Sequence, residues 1–241
     1  MSADGRAAVL RLYMQNCYLV PGFFTLNPIF WGCKNQADRA ARIGRTAGDN
    51  DLACLCEVWG SGSTELAQAV GEGHEHRGSS ITQLGPLNST CATIGNFFSK
   101  TGGLHECWDR KSLRLRTQAT RQFSRSVPLA RQGASALSFD AGRWGDGWRL
   151  VVFNCHFTIL GGAEARANNR DELVSFMREF IETEIGEAAA RHDKTVVLLA
   201  GDLNLGPMQE DQTNNGIERI ASEYTSILTL GGAGRMRDWY A

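Results

Sequence analysis

The sequence predicts a single α/β domain in which sheets are flanked by helices. Apolar runs of strand character recur along the chain, two longer segments carry helical spacing, and no linker, internal repeat or low-complexity tract separates them. At 241 residues the chain is within the range of one sizeable domain, and a hydrophobic content of 42% is enough for a real core.

The elements follow in order. "AVLRLYMQNCYLV" (8–20) reads as a strand, its apolar content supplied by Val9, Leu10, Leu12, Tyr13 and Met14. "QADRAARIGRTAG" (36–48) places Ala37, Ala40, Ala41 and Ile43 at helical spacing, with Arg39, Arg42 and Arg45 on the opposite face. "DLACLCEVWG" (51–60) is a second strand. "SGSTELAQAVGEG" begins a short helix, with Ser61 or Ser63 as N-cap and Gly71 as its stop. Residues 72–112 are rich in Gly, Ser, Thr and Asn and read as loops, with short strands around "CATIGNFFSK".

Three strands follow: "LRLRTQATRQFS" (113–124), "QGASALSFDAG" (132–142) and "WRLVVFNCHFTIL" (148–160), the first two with period-2 alternation. The clearest helix is 168–192, where Leu173, Val174, Phe176, Met177, Phe180 and Ile181 form the buried stripe. "VVLLAGDLNLGP" (196–207) is a buried strand that finishes on polar residues, and "NGIERIASEYTSIL" reads as a further helix.

Composition narrows the function. Basic and acidic residues nearly cancel, 25 against 26, so no whole-chain positive field attracts nucleic acid, although a local basic groove is compatible with this balance. No run approaches the roughly 18 apolar residues of a spanning helix. The N-terminal stretch is interrupted by Arg11 and does not read as a signal peptide. Seven cysteines without a CxxC pair, four of them (Cys17, Cys54, Cys56, Cys155) inside apolar runs, suit buried reduced thiols. A cytoplasmic protein, or one peripheral to a membrane, is expected.

The polar ends of the apolar runs carry the chemistry. Asn16 closes the first, Glu57 closes "LACLC", His156 closes "VVFNC", and Asp202 and Asn204 close "VVLLAG". Sheets gather such ends along one edge, where ligands bind. Side chains two apart on an extended backbone point the same way, which brings Asp202 and Asn204 to one site. Each residue also has an ordinary reading: a turn-forming Asp, a satisfied core His, an acid ending a strand, an Asn opening a turn before Pro21. Their shared position at strand ends favours a site. Hard oxygen donors without a Cys or His cluster point to magnesium rather than zinc. The set suits phosphate-ester hydrolysis, in which a metal neutralises charge and a carboxylate aligns water.

In order and context these residues resemble the endonuclease/exonuclease/phosphatase superfamily, through "MQNCYLVP", "LCEVWG", "FNCHFTIL" and "AGDLNLGP". "NCYLVPGFF", "PIFWGCKNQADRAARIG" and "SEYTSILTL" look most like its neutral sphingomyelinase branch. The resemblance implies a DNase-like two-sheet α/β sandwich flanked by helices, with the site at one edge of the sheets. It implies that Glu57 holds Mg2+, that Asn16 positions the metal shell or the scissile phosphate, that His156 binds a phosphate oxygen, and that Asp202 and Asn204 align and activate water. The implied reaction releases phosphocholine from sphingomyelin at a membrane surface and leaves ceramide.

The superfamily pattern also ends on a strand bearing Ser-Asp-His. The histidines here are 74, 76, 105, 156 and 192, and none follows "GDLN". The expectation is therefore a sequence incomplete at its C-terminus, lacking its last strands and nearly inactive and aggregation-prone by itself. Competing expectations are a nuclease or inositol-phosphate phosphatase on the same scaffold, or an inactive lipid- or phosphate-binding protein. Two further stretches have a bland and a functional reading. Phe23, Phe24, Phe30 and Trp31 cover the sheet edge or engage lipid, and Arg114 and Arg116 form a solvated face or meet phosphates.

Overall fold

The computed structural model describes residues 9–19, 35–58, 62–78, 103–125, 132–158, 162–185, 194–204 and 226–228. These form two four-stranded mixed sheets with helices outside. In the first sheet, β1 (Leu12–Leu19) runs parallel to β2 (Leu52–Val58), β2 is antiparallel to β4 (His105–Asp109), and β3 (His74–Gly78) closes the far edge against β4. The second sheet holds β5 (Arg114–Gln122), β6 (Gly133–Asp140), β7 (Arg149–His156) and β8 (Thr195–Asp202) in that order; the last pair is parallel and the others antiparallel.

Alternation along the strands builds three apolar layers. Leu52, Cys54 and Trp108 of the first sheet meet Leu137, Phe139, Leu150 and Val152 of the second. Ala53, Leu55 and Cys107 face outward, under α1 (Gln36–Gly48) and α2 (Gly62–Val70). Val151, Phe153 and Cys155 face outward on the other side, under α3 (Gly162–Ile185). The expected α3 stripe packs there: Leu173, Val174, Phe176, Met177 and Phe180 are buried and Ile181 partly so. Fully burying a side chain of this size stabilises by about 1.5–3 kcal/mol. Gly44 lets the outer helices touch, since a Cβ there would lie 2.4 Å from the Leu66 carbonyl oxygen of α2.

Several boundaries differ from expectation. α3 starts at Gly162 rather than 168, because Asn168 and Asn169 do not break it. Asn169 is fully buried; its Oδ1 accepts from Thr158 N (3.0 Å) and its Nδ2 donates to Arg125 O (2.7 Å), and these bonds override its weak helix propensity. Ser63 sits inside the first turn of α2, and Ser61 lies outside the described residues. β3 and β4 lie in a stretch that reads as loop. Arg114 and Arg116 form a solvated face in which both approach Asp140, at 3.9 and 2.9 Å. "CATIGNFFSK", the aromatics of 21–32 and residues 215–225 of the last expected helix lie outside the described residues; Ser226–Leu228 are helical.

Candidate active site

The ladder between β1 and β2 breaks where the site begins. Asn16 pairs with Cys56 and Leu19 with Val58, so three steps along β1 match two along β2. Tyr18 (φ 49°) and Glu57 (φ 55°) adopt left-handed backbone torsions there. Such a bulge re-aims side chains, and a non-glycine residue in this region stores about 1–3 kcal/mol of strain. Arg39 of α1 donates a hydrogen bond to the Tyr18 carbonyl oxygen. A residue that the sequence places on the solvent face therefore holds the bulge.

On the second sheet, His156 ends β7 and Asp202 ends β8 as direct parallel partners. Gly201 makes this closeness possible. Its φ is 119°, and a Cβ would fall 2.0 Å from the Cys155 carbonyl oxygen. The Gly201 N–H also donates to Met14 Sδ of β1 at 3.0 Å, joining the two sheets.

The structure brings Asn16, Glu57, His156 and Asp202 together. The Asn16 amide nitrogen donates to Glu57 Oε1 (3.1 Å) and to Asp202 Oδ2 (2.9 Å), so one side chain links acids from opposite sheets. Asn16 Oδ1 accepts from Tyr18 N at 3.1 Å. His156 Nε2 lies 3.4 Å from Glu57 Oε1, and its side chain is 4% exposed. Contrary to the strand-end reading, Asn16 is not the end of its strand, which continues to Leu19 past the bulge.

Asn204 reaches the site differently from expectation. Its backbone is left-handed (φ 46°) rather than extended, so its side chain does not run alongside that of Asp202. Its N–H donates to Asp202 Oδ1 (2.9 Å) and its Nδ2 to Phe157 O (2.8 Å). Asn204 thus fixes the Asp202 carboxylate and ties β8 to the residue after His156.

Glu57 is the unusual group. Its Oε2 is buried and has no hydrogen-bond partner among the described residues. Burial pushes its carboxyl above the usual carboxylate range; His156 and the Asn16 hydrogen bond oppose this, and the charge of Asp202 adds to it. A buried acid with a partnerless oxygen, beside a second acid, suits a hard divalent cation. Among the described residues no three His, Cys, Asp or Glu side chains converge on a metal-holding point.

No protein-family model matches the sequence, and no curated protein matches it. Solved structures do. An endonuclease/exonuclease/phosphatase family protein from Bacteroides thetaiotaomicron matches with a TM-score of 0.56 and 18% identity, over 89% of this chain and 68% of that one. The chain has the endonuclease/exonuclease/phosphatase fold. The same fold is shared with a mannosyl-6-phosphatase from that bacterium (TM-score 0.55, 16% identity, 89% and 71% covered). It is also shared with TDP2 from Caenorhabditis elegans (TM-score 0.54, 15% identity), where 86% of this chain spans 51% of the other, about half its length. No described helix is long and apolar enough to cross a membrane.

Proposed function

We propose that the chain is a magnesium-dependent phosphoester hydrolase acting on a sphingomyelin-type phosphodiester, releasing phosphocholine and leaving ceramide. The observation that carries the reading is the single Asn16 amide joining Glu57 and Asp202 across the two sheets, with the second Glu57 oxygen buried and partnerless. Glu57 and Asn16 would hold the cation. When bound, it would supply charge neutralisation and polarisation of the phosphoryl oxygen. Asp202, its carboxylate held by Asn204 N–H, would align a water and draw its proton as it attacks phosphorus, while the bond from phosphorus to the ceramide oxygen breaks and that oxygen takes a proton from solvent. His156 would donate from its ring to a phosphate oxygen. The shared fold supports phosphoester chemistry.

Support for a lipid comes from β1, where Leu12, Met14 and Tyr18 are 40%, 45% and 38% exposed on alternate positions with Asn16 between them. An apolar lane beside a phosphate site suits an acyl-bearing substrate at a membrane surface. The second reading is a nuclease, or an inositol- or sugar-phosphate phosphatase, favoured by the fold shared with D. rerio TDP2 in complex with single-strand DNA product and with the mannosyl-6-phosphatase. Calorimetric titration with Mg2+, then turnover on sphingomyelin micelles, a hexose 6-phosphate and single-stranded DNA, tests the proposal. Micromolar to millimolar Mg2+ binding with preference for sphingomyelin supports it. Preference for either other substrate moves the assignment to the second reading. An absence of Mg2+ binding removes the magnesium assignment, and an absence of turnover on every substrate as well leaves an inactive lipid- or phosphate-binding protein.

A further inference from the structure

One repeat behind the site, a buried polar brace crosses the sandwich. Asn154 precedes His156 by two residues on β7 and is completely buried. Its Nδ2 donates to Leu55 O (3.1 Å), two residues before Glu57 on β2, and to Glu106 Oε1 (2.8 Å) on β4. Its Oδ1 faces Cys56 Sγ at 3.7 Å. Glu106, itself 1% exposed, also accepts from Ser135 Oγ of β6. Arg77 of β3 is its direct cross-strand partner and reaches Ala136 O at 3.3 Å. Five strands thus converge on one amide–carboxylate pair in an otherwise apolar layer.

We propose that Asn154 is a positioning residue: by tying β7 to β2 two residues short of His156 and Glu57, it sets the separation at which those side chains meet. The inference rests on the reading of Glu57 as a magnesium ligand. Two residues span about 6.6–6.8 Å of strand, so a slip between the sheets at Asn154 is transmitted to the 3.4 Å His156–Glu57 contact with little attenuation. Leucine-like packing would bury this region equally well but without direction. A hydrogen-bonded amide fixes both distance and orientation; groups bonded directly to a metal ligand change metal affinity by roughly 10–100-fold when removed, and Asn154, which acts on the ligand through the strand, belongs at the lower end of that range.

The test compares Asn154→Ala with Phe139→Leu, which trims the inter-sheet core at a different level of the sandwich. Mg2+ affinity is read by calorimetry, and the His156 ring signals are read by NMR in metal-free protein. Should Asn154→Ala fail to fold, Asn154→Ser, which keeps one donor, takes its place. The expected result is at least tenfold weaker Mg2+ binding and displaced His156 ring signals for the Asn154 variant, with less than twofold change for Phe139→Leu. Equal losses in both variants, or less than twofold loss for Asn154, would overturn the proposal. A wild-type chain that binds no Mg2+ sinks the metal reading alone, and the His156 signals then decide the brace: unmoved signals overturn it, and displacement confined to the Asn154 variant supports it.

Discussion

Glu57 holds a carboxylate where neither its backbone nor its surroundings favour one. The torsion is left-handed, the group is mostly buried, and burial raises its pKa. An ionised Glu57 without a cation is therefore a cost to the fold, and Glu57→Gln is expected to leave the melting temperature in chelator unchanged or higher. Mg2+ at ten times its dissociation constant should raise the wild-type melting temperature by roughly 3–5 °C, from about 1.4 kcal/mol of linkage, and leave the variant unmoved. A calorimetric scan of both proteins with and without Mg2+ decides this; equal shifts would remove Glu57 from the metal site. Asp202→Asn keeps one of the two hydrogen bonds its carboxylate accepts, from Asn16 or from Asn204, turns its amide nitrogen toward the other donor, and cannot take a proton. In a chain extended far enough to turn over, the rate should fall by roughly 10²–10⁴-fold with KM little changed. A variant within threefold of the wild-type rate would make Asp202 a turn former. His105 gives a third residue-scale expectation. Burial, aided by the charge of His76, lowers its pKa from 6.5 to about 3. Its folded pKa is depressed for a base, so its stabilising contribution is complete above pH 6.5 and declines as pH falls toward 3, by about 1.4 kcal/mol per unit. Chemical denaturation from pH 7 to 5 should show wild type losing stability relative to His105→Phe, and a constant difference would contradict the assignment.

Among the elements, the β7–β8 pair depends on a single glycine. Gly201→Ala forces a Cβ into the Cys155 backbone at a positive φ, so β8 must move away from β7. Stability should fall by about 2 kcal/mol or more, and the Asp202–His156 register should open. Urea titration measures the first, and loss of Mg2+-dependent binding of phosphocholine the second; an unchanged midpoint would mean that the strands have slack. Glycine before Asp202 is legible in the sequence, as are β1, β2, β5 to β8, α1 and the stripe of α3, because each is amphipathic or apolar at its own period. β3 and β4 are not. "HEHRG" and "HECWD" carry six charged or imidazole-bearing side chains at inward or half-buried positions, the most buried of them made tolerable by partners far away in sequence: Ser135 and Asn154 for Glu106, His76 for His105. Asn16, Glu57, His156 and Asp202 were visible as polar ends of apolar runs. The bulge, the part of Arg39 and the left-handed turn at Asn204 depend on torsions and tertiary contacts that no local pattern encodes.

At the scale of the whole molecule, the candidate site is divided between the sheets. Asn16 and Glu57 belong to the first, His156 and Asp202 to the second. A cation on the first and an anion on the second would each attract the other, so binding of Mg2+ and of phosphocholine should be positively coupled. Coupling of 5–150-fold corresponds to about 1–3 kcal/mol. Titrating phosphocholine with and without saturating Mg2+ gives this factor directly, and by reciprocity the reverse titration must give the same one. Independent binding would place the two ligands at separate sites.

The torsion at Glu57 has a further meaning in the arithmetic of a pleated strand. Along β2, odd positions Ala53 and Leu55 belong to the helix side, while even positions Leu52 and Cys54 belong to the inter-sheet layer. Counting on, residue 57 falls on the helix side, among the apolar side chains of α1 and α2. Yet Glu57 meets Asn16 and His156, and Val58, an even residue, joins the helix-side core. The strand's parity changes at this one residue. An acid thereby leaves a face where it would be fatal to packing, and a valine takes the place it vacates. Straightening the backbone at 57 would exchange the two, so the site and the outer core stand or fall on the same pair of dihedral angles.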